Sequence, residues 1–302
     1  MRRGVNLGNA LEAPDEGDWG YRIEADHLSA IADAGFDGVR LPVRWDVHAL
    51  DASPYSIESP FMERVAQVVQ HALDRQLKVQ LDLHHYDAFS DAGPRSQHRV
   101  RYLALWKQIA AHFAGAPPAL IFEPFNEFHG LSWAPGEVDA LQAEVVSVIR
   151  TTNATRTIVL GPGQWQSLDG LRAWQPPEGA NLAASFHYYE PGGFTSSDGA
   201  WLPHPTHYGR LWGTDEDRGA IHDHMAIAAA WAAQYHVALQ LGEFGVNRML
   251  PVEQRAFWTR TVREACEANN IGWCIWDFAG EFPIWDKAQR RFIPEILAAL
   301  IR

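Results

Sequence analysis

Cysteine is scarce in this chain, acid outweighs base, and long apolar runs are missing. Of 302 residues only Cys266 and Cys274 are cysteines. They fall on a predicted helix and the strand after it, so free buried thiols fit better than a disulfide staple. They leave the redox compartment undecided. Lysine and arginine total 25 against 37 acidic residues, a net charge of -12. This balance excludes the basic patch that a nucleic acid or an anionic membrane demands, and leaves a neutral small or polymeric partner compatible. No apolar run approaches the ~18 residues of a membrane span. The opening Met1-Arg2-Arg3-Gly4-Val5-Asn6 enters a strand-like run directly. It has neither the apolar stretch nor the cleavage site of a signal peptide, so the expectation is an intracellular protein or a leader absent from this sequence. A phosphate-binding glycine loop is also lacking. Gly4-Val5-Asn6-Leu7-Gly8-Asn9 has no third glycine, which argues against an open, doubly wound nucleotide-binding sheet.

What the chain does have is a regular alternation. Strand signals recur every ~35 to 40 residues with helical periodicity between them, the pattern of a parallel sheet. The predicted strands are 4–8, 38–42, 78–84, 119–125, 157–161, 182–187, 237–243 and 272–276. They are short, apolar and rich in β-branched residues, as strands covered on both faces should be. Apolar spacing of three and four predicts helices at 24–34, 61–75, 100–113, 136–149, 168–174, 224–235, 252–268 and 294–301. Pro60 and Pro251 sit where helices begin, and Gly35 and Gly115 just past helix ends. Eight such units predict an α/β fold of the (β/α)8 TIM-barrel type. No flexible linker divides the chain, so residues 1–302 are expected to form one catalytic domain. The longest insertion, 190–219, is rich in Gly, Pro, Trp and His and would shape a cleft.

Two glutamates stand at the ends of apolar runs, Glu127 after Ala119-Leu120-Ile121-Phe122 and Glu243 after Val237-Ala238-Leu239. A strand-end carboxylate also serves as a cap or half of a salt bridge. A pair on separate strands of one barrel is what acid/base cleavage of a glycosidic bond requires. Barrel geometry would gather Asn9, Glu12, Arg40, His84, His85, Asn126, His187, Tyr189 and Trp276 at the same mouth. Each has a plainer use as an ion pair, a satisfied core histidine or a packing ring. Polar residues closing nearly every strand of one ring fit a site better, because buried polar groups need partners. An acid must be held protonated by desolvation or a nearby negative charge, and a nucleophile must stay ionised. Arg40 and Tyr189 are suited to the second task beside Glu243. Most of the 13 tryptophans and 8 tyrosines are core filling, and those in loops are candidates for stacking on sugar rings.

The segments Arg3 to Glu12, Val39-Arg40-Leu41-Pro42-Val43-Arg44-Trp45, Leu83-His84-His85-Tyr86, Phe125-Asn126-Glu127, His187-Tyr188-Tyr189 and Leu241-Gly242-Glu243-Phe244-Gly245 carry a resemblance. Together they resemble glycoside hydrolase family 5 over nearly the whole chain. Residues 8–20 look like bacterial endoglucanases of the compact kind. The resemblance implies Glu127 as acid/base and Glu243 as nucleophile. It implies Arg40, His84, Asn126, His187, Tyr189 and Trp276 as the supporting shell, and Asn9, Glu12, His85 and Trp201 as sugar contacts. It also implies secretion. The family usually has proline after the acid/base, and here Phe128 follows. A proline would fix the backbone as it leaves the strand, and phenylalanine loosens that constraint and adds bulk beside the site.

The expected activity is therefore that of a retaining endo-β-1,4-glucanase acting on cellulose-type and mixed-linkage β-glucan, with no metal and no other cofactor. The expected partner is a β-linked polysaccharide or oligosaccharide, not nucleic acid or membrane, and a monomer is expected. An endo-β-1,4-mannanase, or an enzyme accepting both polymers, is the alternative within the class. Outside it stands a metal-dependent barrel hydrolase using Asp82, His84, His85 and His187. Its weakness is that adjacent His84 and His85 should point to opposite sides of a strand. A non-catalytic carbohydrate-binding barrel would have lost a glutamate, and both are present.

Overall fold

Eight parallel strands close into a ring in chain order, each paired with its sequence neighbour and the eighth with the first. The computed structural model describes residues 1–93, 96–130, 133–134 and 136–301. The strands are β1 (Arg3–Asn6), β2 (Gly38–Leu41), β3 (Lys78–Asp82), β4 (Leu120–Glu123), β5 (Ile158–Leu160), β6 (Leu182–Tyr188), β7 (Ala238–Phe244) and β8 (Gly272–Ile275). All eight predicted strands are present, most trimmed at their ends. A small hairpin of β9 (Trp285–Asp286) and β10 (Arg291–Phe292) follows.

The outer layer comprises α1 (Ala25–Asp33), α2 (Ser59–Asp74), α3 (Asp87–Ala92), α4 (Gln97–His112), α5 (Glu137–Arg150), α6 (Leu168–Ala173), α7 (Gly192–Thr195), α8 (Asp215–Tyr235), α9 (Val252–Ala268) and α10 (Pro294–Leu300). The fold is a (β/α)8 barrel. Pro60 lies in the first turn of α2, where its missing N–H costs nothing. Helix α8 begins nine residues before the predicted 224 and takes the end of the 190–219 insertion. Thr214 and Asp217 cap it reciprocally, a signal in a stretch whose apolar spacing is weak. The short helices α3 and α7 and the hairpin have too few apolar repeats to predict.

Period-two alternation sorts the strands. Val39, Leu41, Val79, Leu81, Leu120 and Phe122 are fully buried. Their alternates Arg40, Gln80 and Glu123 meet across the barrel interior. Phe122 packs against Trp106 of α4, which shows the outward direction. At one end of the barrel Gly4, Gly38 and Gly272 leave the space that Met1 fills, for a Cβ on Gly38 would lie 2.3 Å from the Met1 sulfur. Cys266 and Cys274 are free and buried, as expected. None of the described helices is long and apolar enough to cross a membrane.

Candidate active site

Arg40 is the hub. From the middle of β2 its wholly buried guanidinium reaches Glu123 through Nε at 2.6 Å and Nη2 at 3.0 Å. Nη1 donates to Glu243 Oε1 at 2.7 Å and Asn6 Oδ1 at 3.0 Å. Nη2 also donates to Asn126 Oδ1 at 2.7 Å and lies 2.8 Å from Asp82 Oδ2. Burial alone would discharge Arg40, but Asp82, Glu123 and Glu243 outweigh it and hold the cation firmly. Three acids share this cation. Glu123 is shifted down, because Arg40 and Gln80 overcome its burial. Asp82 is pushed well up by burial, and His84 Nδ1 lies 3.0 Å from it.

Glu243 lies near the end of β7 and Glu127 four residues beyond β4. A bulge at Phe186 and His187 shifts the register of β6 and sets His187 opposite Glu243. Bulges beside sites commonly re-aim a side chain in this way. His187 Nδ1 is 2.7 Å from Glu127 Oε1 and 3.6 Å from Glu243 Oε2. Both neighbours are acceptors, so we assign the ring proton to Nδ1. Tyr189 donates its hydroxyl to Glu243 Oε2 at 2.9 Å. One oxygen of each glutamate and one His187 nitrogen all lie within 4.8 Å of one another.

The two carboxyls differ in setting. Glu243 has a side chain 6% exposed and direct contact with a cation, and Glu127 has one 27% exposed and none. Burial raises Glu127 to about 7. Burial also raises Glu243, against the opposing pull of His187 and Arg40. His187 and His84 are pushed down by burial and stay neutral, and Tyr189 is pushed well up by burial and by Glu243.

Around this centre the cleft carries flat rings. Trp276, just past β8, lies parallel to His84 with centroids 5.4 Å apart. His85 meets His84 at 4.7 Å and the exposed Trp19 at 5.9 Å, both edge-on. Burial lowers His85 to about 3. A cavity of about 610 Å³ opens beside Glu127, with His187, Tyr189, Tyr208, Trp212 and the exposed Trp165 in its walls. Trp165 stacks on His129 at 5.3 Å.

Arg40, Asn126, Glu127, His187, Tyr189 and Glu243 thus form one connected cluster, with His84 joined through Asp82 and Trp276 stacked on His84. Asn9 is partly buried, with its amide donating to Asp277. Glu12 is 1% exposed and folded onto the backbone N–H groups of Asn9 and Ala10, so its carboxyl is engaged within its own turn. Other expectations need correction. His84 and His85 do not point apart, because both lie beyond β3 and their rings touch. Asp82, His84, His85 and His187 do not converge as a metal set. Among the described residues, the groups of three that do converge are Glu127–His187–Glu243 and Glu24–Asp26–His27. Arg40 already contacts the first and Arg290 the second. Trp201 packs on Phe282 at 5.2 Å, and Phe282 on Tyr189, which contacts Glu243, so two rings separate it from the acids. Phe128 adds no bulk to the site. Its ring is buried and stacks on Phe125 at 3.8 Å, beside Phe89 and Trp133.

Sequence pattern alone does not single out Glu123, Asn6 or Gln80. Their common signal is a polar residue inside an apolar strand, which a barrel interior must pair. Trp19 and Trp165 have no such signal, since an exposed loop ring looks like any other loop ring in sequence.

The cellulase family model, glycosyl hydrolase family 5, matches residues 4–281. Endoglucanase H of Acetivibrio thermocellus is 31% identical over 99% of this chain, and the match covers 33% of that protein. Endoglucanase 3 of Fibrobacter succinogenes is 26% identical over 96% of this chain and 51% of its own length. This chain therefore spans about a third to a half of those relatives. Among solved structures, Thermotoga maritima Cel5A in complex with cellobiose is 35% identical with a TM-score of 0.96, covering 100% of this chain and 97% of that one. The same protein with mannotriose matches at 35% identity, TM-score 0.96 and the same coverage.

Proposed function

The chain belongs to glycoside hydrolase family 5, and on that premise we propose that it is a retaining endo-β-1,4-glucanase with residues 1–302 as one catalytic domain. The observation that carries this reading is the approach of Glu127 and Glu243, whose nearer oxygens lie within 4.8 Å. Retaining pairs stand ~5–5.5 Å apart, whereas inverting pairs need ~6.5–9.5 Å to admit a water.

Glu127, held protonated to about pH 7 by burial, gives its proton to the leaving oxygen. Glu243 attacks the anomeric carbon. Arg40 and Tyr189 each contact one of its oxygens, so the pair's first ionisation falls on Glu243. The leaving sugar departs with the proton, and a glycosyl ester to Glu243 remains. Glu127, now ionised, takes a proton from water as that water displaces the ester. His187 Nδ1–H steadies Glu127 through both steps. Asn126 gives its oxygen to Arg40, which leaves its N–H₂ to meet the sugar 2-hydroxyl. Trp276 forms the floor under the cleaved sugar, and the cavity beside Glu127 receives the leaving side of the chain.

A dual glucanase and mannanase is the second reading. It is favoured by the similarity to a protein solved with both cellobiose and mannotriose. A site rejects an analogue strongly only when a mismatch strands its own buried hydrogen-bonding groups, and in this reading the Asn126 amide is the group set to meet the hydroxyl that distinguishes glucose from mannose. An activity panel tests both. Soluble β-1,4-glucan and mixed-linkage β-glucan should be turned over fastest, glucomannan or mannan second, and xylan poorly. Faster turnover of xylan than of any glucan would contradict the reading, and activity on mannan alone would replace it with a mannanase.

A further inference from the structure

We propose that Gln166 is a positioning residue for proton transfer, holding Glu127 in place through its backbone. The inference rests on the assignment of Glu127 as acid/base. Gln166 lies between β5 and α6 and is 1% exposed. Its side-chain Oε1 accepts the Glu127 N–H at 3.2 Å. Its own carbonyl accepts the His187 N–H at 2.8 Å. One step earlier, Trp165 N–H donates to the Phe128 carbonyl at 3.1 Å. A single turn therefore grips Glu127, the residue after it, and the histidine that contacts its carboxyl.

Both sides of this grip use backbone that side chains rarely adopt. Gln164, Trp165 and Gln166 have φ of 58°, 55° and 51°, and Glu127 has φ of 50°. Four non-glycine residues in the left-handed region persist only where the surroundings over-determine them, and such strain gathers at functional sites. The side chain also has a prepared berth. A Cβ on Gly161 would lie 1.8 Å from Gln166 Nε2, so glycine there admits the amide. Nε2 has no acceptor among the described residues. The one hydrogen bond described for this side chain is spent on Glu127. Because Glu127 N–H is a donor, it fixes the amide orientation with oxygen toward it.

Phe128 makes this grip matter. A proline after the acid/base would stiffen the backbone there, and this chain has none. Gln166 supplies by hydrogen bonding a restraint that the ring would supply covalently. A displaced Glu127 would still be an acid but would miss the leaving oxygen, and errors near 1 Å cost ~10²-fold.

The test is leaving-group dependence. In Gln166→Met, which keeps the length and removes the acceptor, kcat/KM on phenyl cellobioside should fall ~10²-fold. On dinitrophenyl cellobioside, whose leaving group needs no proton, it should fall only about threefold or less. Gln166→Asn, too short to reach, should show the same selectivity. Glu127→Gln run alongside separates the two ideas. If it shows no selectivity, the acid assignment fails. If it shows selectivity and the Gln166 variants do not, the positioning role fails while the acid assignment stands. Equal losses on both substrates, no loss on either, or failure of both variants to fold would each overturn the proposal.

Discussion

Arg40 and Glu123 form a two-pronged ion pair in the barrel interior, at 2.6 and 3.0 Å, with neither side chain exposed. Because Glu123 is held ionised there, Arg40 is fixed in place before any substrate arrives. The remaining prongs of the guanidinium then point at Glu243 and Asn126. A buried pair gives little net stability over an apolar one, but breaking it leaves the buried Arg40 with fewer acid partners, Glu243 and Asp82.

Replacing Glu123 with alanine should therefore be costly, by about 3–5 kcal/mol of unfolding free energy, as for other broken buried pairs. Turnover should drop as well, because Arg40 loses its anchor. Urea unfolding and kcat on soluble β-glucan would show it. An unchanged midpoint with unchanged kcat would mean that Glu123 holds nothing.

pH should act on stability in a definite direction. Burial raises Glu127 to about 7, Glu12 to about 8 and Asp277 to about 7. Each binds its proton more tightly folded than unfolded, so stability falls as pH rises from the ordinary carboxylic range toward 8. Glu16 and Asp37 are shifted down, and their contribution is lost instead as pH falls below the ordinary range. The melting temperature should peak in mildly acidic buffer and decline between about pH 5 and 8. The basic limb of kcat/KM should fall near pH 7 with Glu127. A melting temperature that climbs steadily to pH 8 would contradict these shifts.

Stacking gives a graded outcome. Trp276 lies parallel to His84, which is joined to Arg40 through Asp82, whereas Trp201 leans on Phe282. Trp276→Ala should weaken substrate use by ~1–3 kcal/mol in kcat/KM, the worth of other large buried rings. Trp201→Ala should cost less, since two rings, Phe282 and Tyr189, separate it from Glu243. Unchanged kinetics for Trp276→Ala would make that ring packing alone.

The barrel was legible because its strands are short, apolar and regularly spaced. Val39 and Leu41 around Arg40 already spell a strand with one polar residue turned inward. The proposed acid pair was legible because Glu127 and Glu243 follow or close apolar runs, Glu127 four residues past β4 and Glu243 near the end of β7. The pairing of Arg40 with Glu123 was not, since it depends on register between β2 and β4, which no local pattern encodes. The setting of Glu12 was hidden for a similar reason. Its place at a loop suggests a ligand contact, and only the tight turn that buries it sends its carboxyl back to Asn9 and Ala10. Gln166 escapes notice because its role needs three consecutive residues with positive φ, a conformation that glutamine and tryptophan do not advertise.

The most direct measurement is the anomeric form of fresh product. Proton NMR on a soluble cello-oligosaccharide, recorded before mutarotation, reads it without a variant. Glu127 and Glu243 acting as acid/base and nucleophile at this short separation require two inversions at the anomeric carbon. The β-anomer should appear first and the α-anomer only as mutarotation proceeds. An initial α-anomer would mean one displacement by water and would contradict the covalent role of Glu243.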